Sequence, residues 1–357
     1  MKASRYFVLF SIAAVSLTAT QCKKNKEEDP EEFKKEAILQ NLADNYITPG
    51  YSELQLNVNA LSTSWMAFAA DQSTANYAVL KSDWEDASLS FQKVKFLEVG
   101  PAMAIGFNAA LGTFPADTTQ IEANVTSGSY DLTTMPNIDA VGFDALDFLF
   151  YGDDAYNKLV TSAARRTYVG DVIAKMKNET DQVVNGWPAY KATFIAGTGT
   201  AATSSFSVLV NAFSKDYESA KAFKIGVPIG KATLGVVLPH YFEARRSGLG
   251  KKLLQANTNG MHAVFMGNSF SGTSGTGFDD YLVALERSDL ASTIDSRLAS
   301  IASQPASWTG TIENVLTTSP QTLQDYYSYM HGTVVYIKTD MSSAFGVLIT
   351  YQDNDGD

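Results

Sequence analysis

Three runs of apolar residues spaced three and four apart constrain this chain more than any other feature. Tyr77, Leu80, Trp84, Ala87, Phe91, Val94 and Leu97 follow that spacing in one run, and Leu323, Tyr326, Met330, Val334, Ile337 and Met341 in another. Val169, Val172, Ile173, Met176 and Val183 mark a third between them. A helix turns once in 3.6 residues, so each run lines one face of a long helix and must bury it against a neighbour. Period-two alternation of Val, Ile and Thr with polar residues, the mark of a half-buried strand, is scarce. The expectation is an all-α fold of packed helical bundles.

The helical pattern lapses at residues 197–205, Gly-Thr-Gly-Thr-Ala-Ala-Thr-Ser-Ser, which have no apolar period. That lapse divides the chain into two helical halves, residues 33–198 and 199–357. Residues 267–277, rich in Gly, Ser and Thr, read as a loop within the second half. Gly248-Leu249-Gly250-Lys251 lacks the spacing of a phosphate-binding loop, so no nucleotide site is expected.

Residues 1–22 read as an export signal, with Lys2 and Arg5 ahead of an apolar run from Phe7 to Ala19 that is short for a membrane span. The run ends at Cys22, the only cysteine. A cysteine so placed resembles the lipid-modified residue of bacterial lipoproteins, although Leu17-Thr18-Ala19-Thr20-Gln21 departs from the usual approach to it; an ordinary secretory signal is the alternative. Residues 23–32, Lys-Lys-Asn-Lys-Glu-Glu-Asp-Pro-Glu-Glu, have nothing to bury and form a charged tether. Lysines followed by acids there resemble the signal that sends some lipoproteins to the outer face of the outer membrane. The expected location is thus the bacterial envelope, as an outer-membrane lipoprotein facing the periplasm or the surface. A formal charge of −11 excludes nucleic acid as a partner. With one cysteine, internal disulfides and cysteine metal clusters are excluded too.

Within residues 137–147, Gly142-x-Asp144-x-x-Asp147 lies on an apolar helical pattern. A spacing of three puts both carboxylates on one face, beside Phe143, Leu146 and Phe150. Such a pair can hold a hard cation such as calcium, magnesium or manganese; equally, both can be solvated or can cap backbone at the helix start. The pattern resembles the Gly-x-His-x-x-Glu motif of the imelysin-like family, bacterial envelope proteins once classed as metallopeptidases and linked to iron uptake. Asp144 stands in the histidine place and Asp147 in the glutamate place. Glu98-Val99-Gly100-Pro101, Phe114-Pro115-Ala116-Asp117, Glu243-Ala244-Arg245-Arg246-Ser247, Asn257, Val264-Phe265-Met266-Gly267 and the ending at 348–357 are similar to family segments in the same order, over about residues 35–357.

The resemblance implies one domain of two bundle-like halves with the motif helix near the cleft between them. It places Gly142, Asp144 and Asp147 at that cleft, with Glu243 and Ser247 from the other half. It further implies that iron, an iron-containing ligand or another divalent cation is captured there, with outer-membrane iron or haem uptake components as partners. The other function it implies is a metallopeptidase, in which Asp144 and His240 or Glu243 complete a metal site and Asp147 serves as base. Replacement of the motif histidine ranks that below binding, since a catalytic zinc needs three protein ligands and an open position. His240-x-x-Glu243 has metal-ligand spacing if helical; the plainer reading pairs Glu243 with Arg246 and leaves His240 on the surface. His262 reads as a packing residue and His331 as lying on a polar face. Residues 353–357 echo a calcium loop but end before its distant glutamate.

Overall fold

A computed structural model describes residues 33–351. The readings made on the leader, Cys22, the charged tether and the acidic end beyond 351 lie outside the described residues. No strand occurs among the described residues. Helix α1 (Lys35–Leu42) runs through a π turn (Ala43–Ile47) into α2 (Thr48–Ala70). Then come α3 (Thr74–Gln92), the short helices α4 (Pro101–Ile105), α5 (Phe107–Gly112), α6 (Thr118–Ser127), α7 (Gly142–Tyr151) and α8 (Ala155–Thr161), and the long α9 (Ala163–Ala196). After the 197–204 connection, α10 (Ser205–Ser219) passes into a second π segment (Ala220–Gly226). A mostly non-helical stretch leads to α11 (Gly250–Phe265), α12 (Phe278–Ala284), α13 (Ser288–Ser303), α14 (Ile312–Thr318) and α15 (Pro320–Val334). A third π segment (Val335–Met341) and the single turn α16 (Ser342–Ala344) complete the helices.

Apolar spacing explains the packing. Tyr51, Leu54, Val58, Leu61, Trp65 and Phe68 are all buried along α2, which packs on both α3 and α9. The α9 run from Val169 to Val183 is buried as expected. In the second half α11 packs on α13 and reaches across to α3. His262 of α11 ties these helices together, its Nε2 lying 2.7 Å from Asp295 Oδ1, whereas His331 is exposed and stacks on Tyr327. From Lys34 onward the helices form one compact unit, and in the 197–205 connection Phe206 N–H donates to Gly197 O at 2.9 Å.

Two helices depart from their expected length or register. The first run was expected to stay helical to Leu97, but α3 stops at Gln92, where the hydrogen bonds shorten to three-residue steps (Lys93 N–H to Ser90 O, Val94 N–H to Phe91 O). Val94 and Leu97 are buried all the same, because the tight turn Lys95–Leu97 packs against α10. In the last run Thr333, three residues after Met330 in α15, is buried where Val334 was expected, and Ile337 and Met341 of the π segment that follows lie in the core.

Candidate functional site

The motif helix begins at a place where only glycine fits. Gly142 has φ +82°, and a Cβ on it would stand 2.4 Å from the Leu111 carbonyl oxygen. Its absence lets α7 start against the end of α5. Phe143, Leu146, Leu149 and Phe150 then bury one face, and the Trp84 indole N–H donates to Phe143 O at 3.2 Å. The same burial takes in both motif carboxylates, with Asp144 6% and Asp147 0% exposed.

Each of their four oxygens accepts a backbone N–H. Asp144 Oδ2 takes Ala116 N–H at 2.8 Å and Oδ1 takes Ala244 N–H at 2.7 Å. Asp147 Oδ2 takes Arg246 N–H at 3.0 Å and Oδ1 takes Ser247 N–H at 2.9 Å. Ala244 has φ +49°, a left-handed conformation that turns the 244–247 backbone so that three of its N–H groups face α7. The Ser247 hydroxyl closes this turn by donating to Ala244 O at 3.0 Å. Successive N–H groups of this kind make an anion receptor. Here the anions are the protein's own aspartates, and the result is a clasp joining residues a hundred positions apart.

Burial above all, then the charge of Asp147, pushes the Asp144 carboxyl up from its ordinary 3.8 to about 7, against the pull of its two N–H bonds. Asp147 is raised as well, again chiefly by burial, with the Ser247 and Arg246 donors opposing. A metal ion does not fit here, because amide hydrogens already meet every carboxylate oxygen and a cation would face their positive ends. Beside Asp144, between Trp84, Phe91, Phe143 and Glu243, about 10 Å³ is open, no more than one water requires. Among the described residues no group of three or more His, Cys, Asp or Glu could hold a metal ion.

The structure therefore sets Asp144 and Asp147, on the helix that Gly142 starts, against the turn that holds Ser247, whose N–H caps Asp147, while Glu243 lies beside Asp144 with partners of its own. The hard-cation reading of the aspartates gives way to backbone capping, and the backbone capped belongs to the other half of the chain. His240 stands apart. It lies in the tight turn Pro239–Tyr241, exposed and packed on Tyr241, while Glu243 is buried beyond an extended Phe242. With no helix there, the i, i+3 face that would aim imidazole and carboxylate at one metal does not form. The expected Glu243–Arg246 pair is also absent. Glu243 pairs with Lys224, and Arg246 lies over the Phe148 ring at 4.8 Å.

Behind the clasp is a buried ionic network that the sequence reading missed. Lys224 Nζ donates to Glu243 Oε2 and, at 3.0 Å, to Gln92 Oε1. Gln92 Nε2 donates to Glu243 Oε1 at 2.8 Å. Lys95 pairs with Asp216, whose other oxygen accepts Asn257 Nδ2 at 2.9 Å. Two lysines thus face two carboxylates, and the balance is what makes their burial tolerable. Burial lowers the Lys224 pKa, with the Lys95 charge adding to the effect and Glu243 resisting it. For Lys95 burial also works against the charge, yet Asp216, with Glu243 and Glu98 behind it, raises the pKa overall. A signal was present: Lys95 sits in Val-Lys-Phe-Leu and Lys224 in Ala-Phe-Lys-Ile, single lysines in apolar surroundings.

A separate open groove of about 430 Å³ runs between α3, α11 and the 267–277 loop, lined by Tyr46, Lys93, Lys252, Gln255, Asn259 and Phe270 among others. Tyr46 and Phe270 meet edge to face at 5.4 Å, and Lys93 Nζ lies 5.2 Å from the Phe270 ring centre. Its polar wall is made of lysines and amides.

The arrangement of α7 against a turn from the second half can be set beside known proteins. The family model described as Imelysin matches residues 47–324. The chain belongs to the imelysin family. No curated protein matches it in sequence. An imelysin-like protein from Psychrobacter arcticum superposes with a TM-score of 0.70 at 16% identity, over 88% of this chain and 96% of the other. An iron-regulated protein A precursor from Parabacteroides distasonis gives 0.75 at 13% identity, over 90% and 97%. At these identities the likeness is one of fold. In this imelysin, then, the motif position is held by a carboxylate clasp.

Proposed function

We propose that this imelysin is a non-catalytic binding protein of iron acquisition in the bacterial envelope, held to a membrane through Cys22, and that it takes up iron as an organic chelate such as haem. The observation that carries this reading is the engagement of all four motif carboxylate oxygens by backbone N–H groups. That leaves the motif helix without the open metal position a peptidase needs. The cleft expected at Asp144 and Asp147 is closed, so the groove beside α11 is the better seat. Its volume lies in the range of small-molecule sites. Phe270, backed by the buried Tyr46 ring, offers an aromatic surface to a flat ligand, and Lys93 and Lys252 can turn from Glu53 and Glu85 to its acidic groups. The iron-related role draws on the name of the Parabacteroides distasonis relative, and the anchor on the lone Cys22 at the end of an apolar segment.

Calorimetry of the whole protein with ferrous iron, ferric iron, calcium and haem tests the proposal. Haem should bind, and Lys93→Glu with Lys252→Glu should weaken it while Asp144→Asn leaves it unchanged. Binding of none of the four would remove the proposed ligand class. Chelator-sensitive cleavage of unfolded polypeptide, lost in Asp144→Ala, would establish the peptidase reading instead. For the anchor, Cys22→Ser should release the protein from membranes, and unchanged membrane association would refute lipid attachment there.

A further inference from the structure

Between the second π segment and the clasp, residues 232–239 carry apolar side chains outward. Leu234 is 104% exposed, Val236 57% and Val237 51%. Ala232 and Pro239 beside them are exposed as well. Single exposed apolar residues are ordinary on a protein surface, but three large ones within four positions make a cluster.

The exposure is built into a fixed turn. Val236 N–H donates to Thr233 O at 3.0 Å, and the Thr233 hydroxyl donates to Val236 O at 2.5 Å. Gly235 N–H reaches Gly230 O and Leu238 N–H reaches Pro228 O, both at 2.9 Å. Gly230, at φ +88°, has the Gly235 backbone 3.1 Å from where a Cβ would lie, so the loop curls tightly on itself. The two central residues of the turn, Leu234 and Gly235, both have positive φ, +52° and +88°. Asn, Asp or Gly fills such positions at least cost. A leucine held there, fully exposed, is strained backbone presenting a large apolar group to the outside, the kind of outlier that points to function.

We propose that this tip is a membrane wedge: Leu234, Val236 and Val237 enter the interfacial zone of a zwitterionic phospholipid bilayer, and the exposed Lys231 and His240 at either end of the run meet its phosphates. Several observations favour a bilayer over a protein partner. Three side chains on a projecting turn offer far less than the roughly 800 Å² per partner that a stable protein interface buries. A deformable lipid interface accepts such a tip without a matching pocket. The net charge of −11 opposes anionic surfaces, so apolar insertion supplies the attraction. If Cys22 carries lipid, the tether confines the fold to within roughly 40 Å of the membrane, and a weak wedge then suffices. That last point rests on the anchor reading; the wedge is tested without it.

The test uses the full chain with Cys22→Ser and Leu234→Trp, mixed with phosphatidylcholine vesicles whose acyl chains are brominated. The native Trp65, Trp84, Trp187 and Trp308 are all buried, none more than 7% exposed, and will not reach the quencher. Emission from position 234 should shift to the blue and be quenched, and adding Val236→Ser and Val237→Ser should weaken partition about tenfold or more. Leu234→Asn, made in the Cys22→Ser chain alone, should raise Tm, because the turn prefers it, yet lower vesicle binding; a merely structural leucine would not separate the two. Emission from position 234 unchanged at saturating lipid, or a partition that is undiminished with both serines in place, overturns the wedge. Membrane release of Cys22→Ser in cells reports on the anchor alone.

Discussion

Replacing Asp144 with Asn keeps the shape of the side chain and removes one acceptor. Each Asp144 oxygen now holds one N–H, from Ala116 and from Ala244. A protonated carboxyl still accepts at both oxygens, since its hydroxyl oxygen keeps a lone pair, whereas an amide NH2 can only donate. One backbone donor must therefore lose its partner. The Ala244 N–H is buried and that of Ala116 is half-buried, so the Asn oxygen should stay with Ala244 and turn its NH2 toward Ala116. The expected loss is about 1–3 kcal/mol for one orphaned donor, and about 2–6 kcal/mol for Asp144→Ala, which orphans both. The folded pKa of Asp144, about 7, lies above the ordinary 3.8, so the folded chain binds the proton more tightly across that window. Its contribution is fully present below pH 3.8 and is lost as pH rises through 7. Urea unfolding at pH 5 and pH 8 should accordingly show the Asn variant's deficit shrinking toward pH 8. A deficit that grows over that interval, or Asp144→Ala within about 0.5 kcal/mol of the parent at pH 5, would refute the reasoning.

Gly142→Ala combines a left-handed backbone with a Cβ 2.4 Å from a carbonyl oxygen and should cost about 2–5 kcal/mol in denaturant unfolding; a change below about 1 kcal/mol would mean that α7 can start elsewhere. Lys224→Met leaves Glu243 charged and buried and should cost about 3–5 kcal/mol, and adding Glu243→Gln should recover most of that loss in a double-mutant cycle. Full additivity of the two changes would show that the pair is not coupled.

The helical class was legible because its cause is local: apolar spacing of three and four marks a buried face whatever the rest of the chain does. Helix ends were less so. Val94 and Leu97 keep the spacing of α3 and are buried, yet a tight turn at Lys95–Leu97 delivers them to α10. Nothing in the apolar pattern distinguishes a continuing helix from a turn that leaves the same residues inside. At the motif, a spacing of three sets Asp144 and Asp147 on one face of α7, and of the second-half residues singled out by similarity Ser247 meets Asp147 through its backbone while Glu243 pairs with Lys224. What the aspartates do there depends on Ala244, Arg246 and Ser247 offering main-chain N–H groups, which no side-chain motif encodes. The positive φ of Ala244 that turns those groups inward is equally silent in sequence. The metal spacing of His240 and Glu243 holds only on a helix, and Pro239 opens only a short turn, which leaves His240 on the surface as in the plainer reading.

Hydrogen exchange at residues 243–249 separates a clasp from a metal site most directly. If the aspartates hold the turn, the amides of Ala244, Arg246 and Ser247 exchange as slowly as those in the middle of α11, with or without added ferrous iron or calcium. In Asp147→Ala, which removes both acceptors, exchange at 246 and 247 should then rise while 244 stays slow. Fast exchange of all three in the parent protein, or protection that appears only with metal and vanishes in Asp144→Asn, would contradict the clasp.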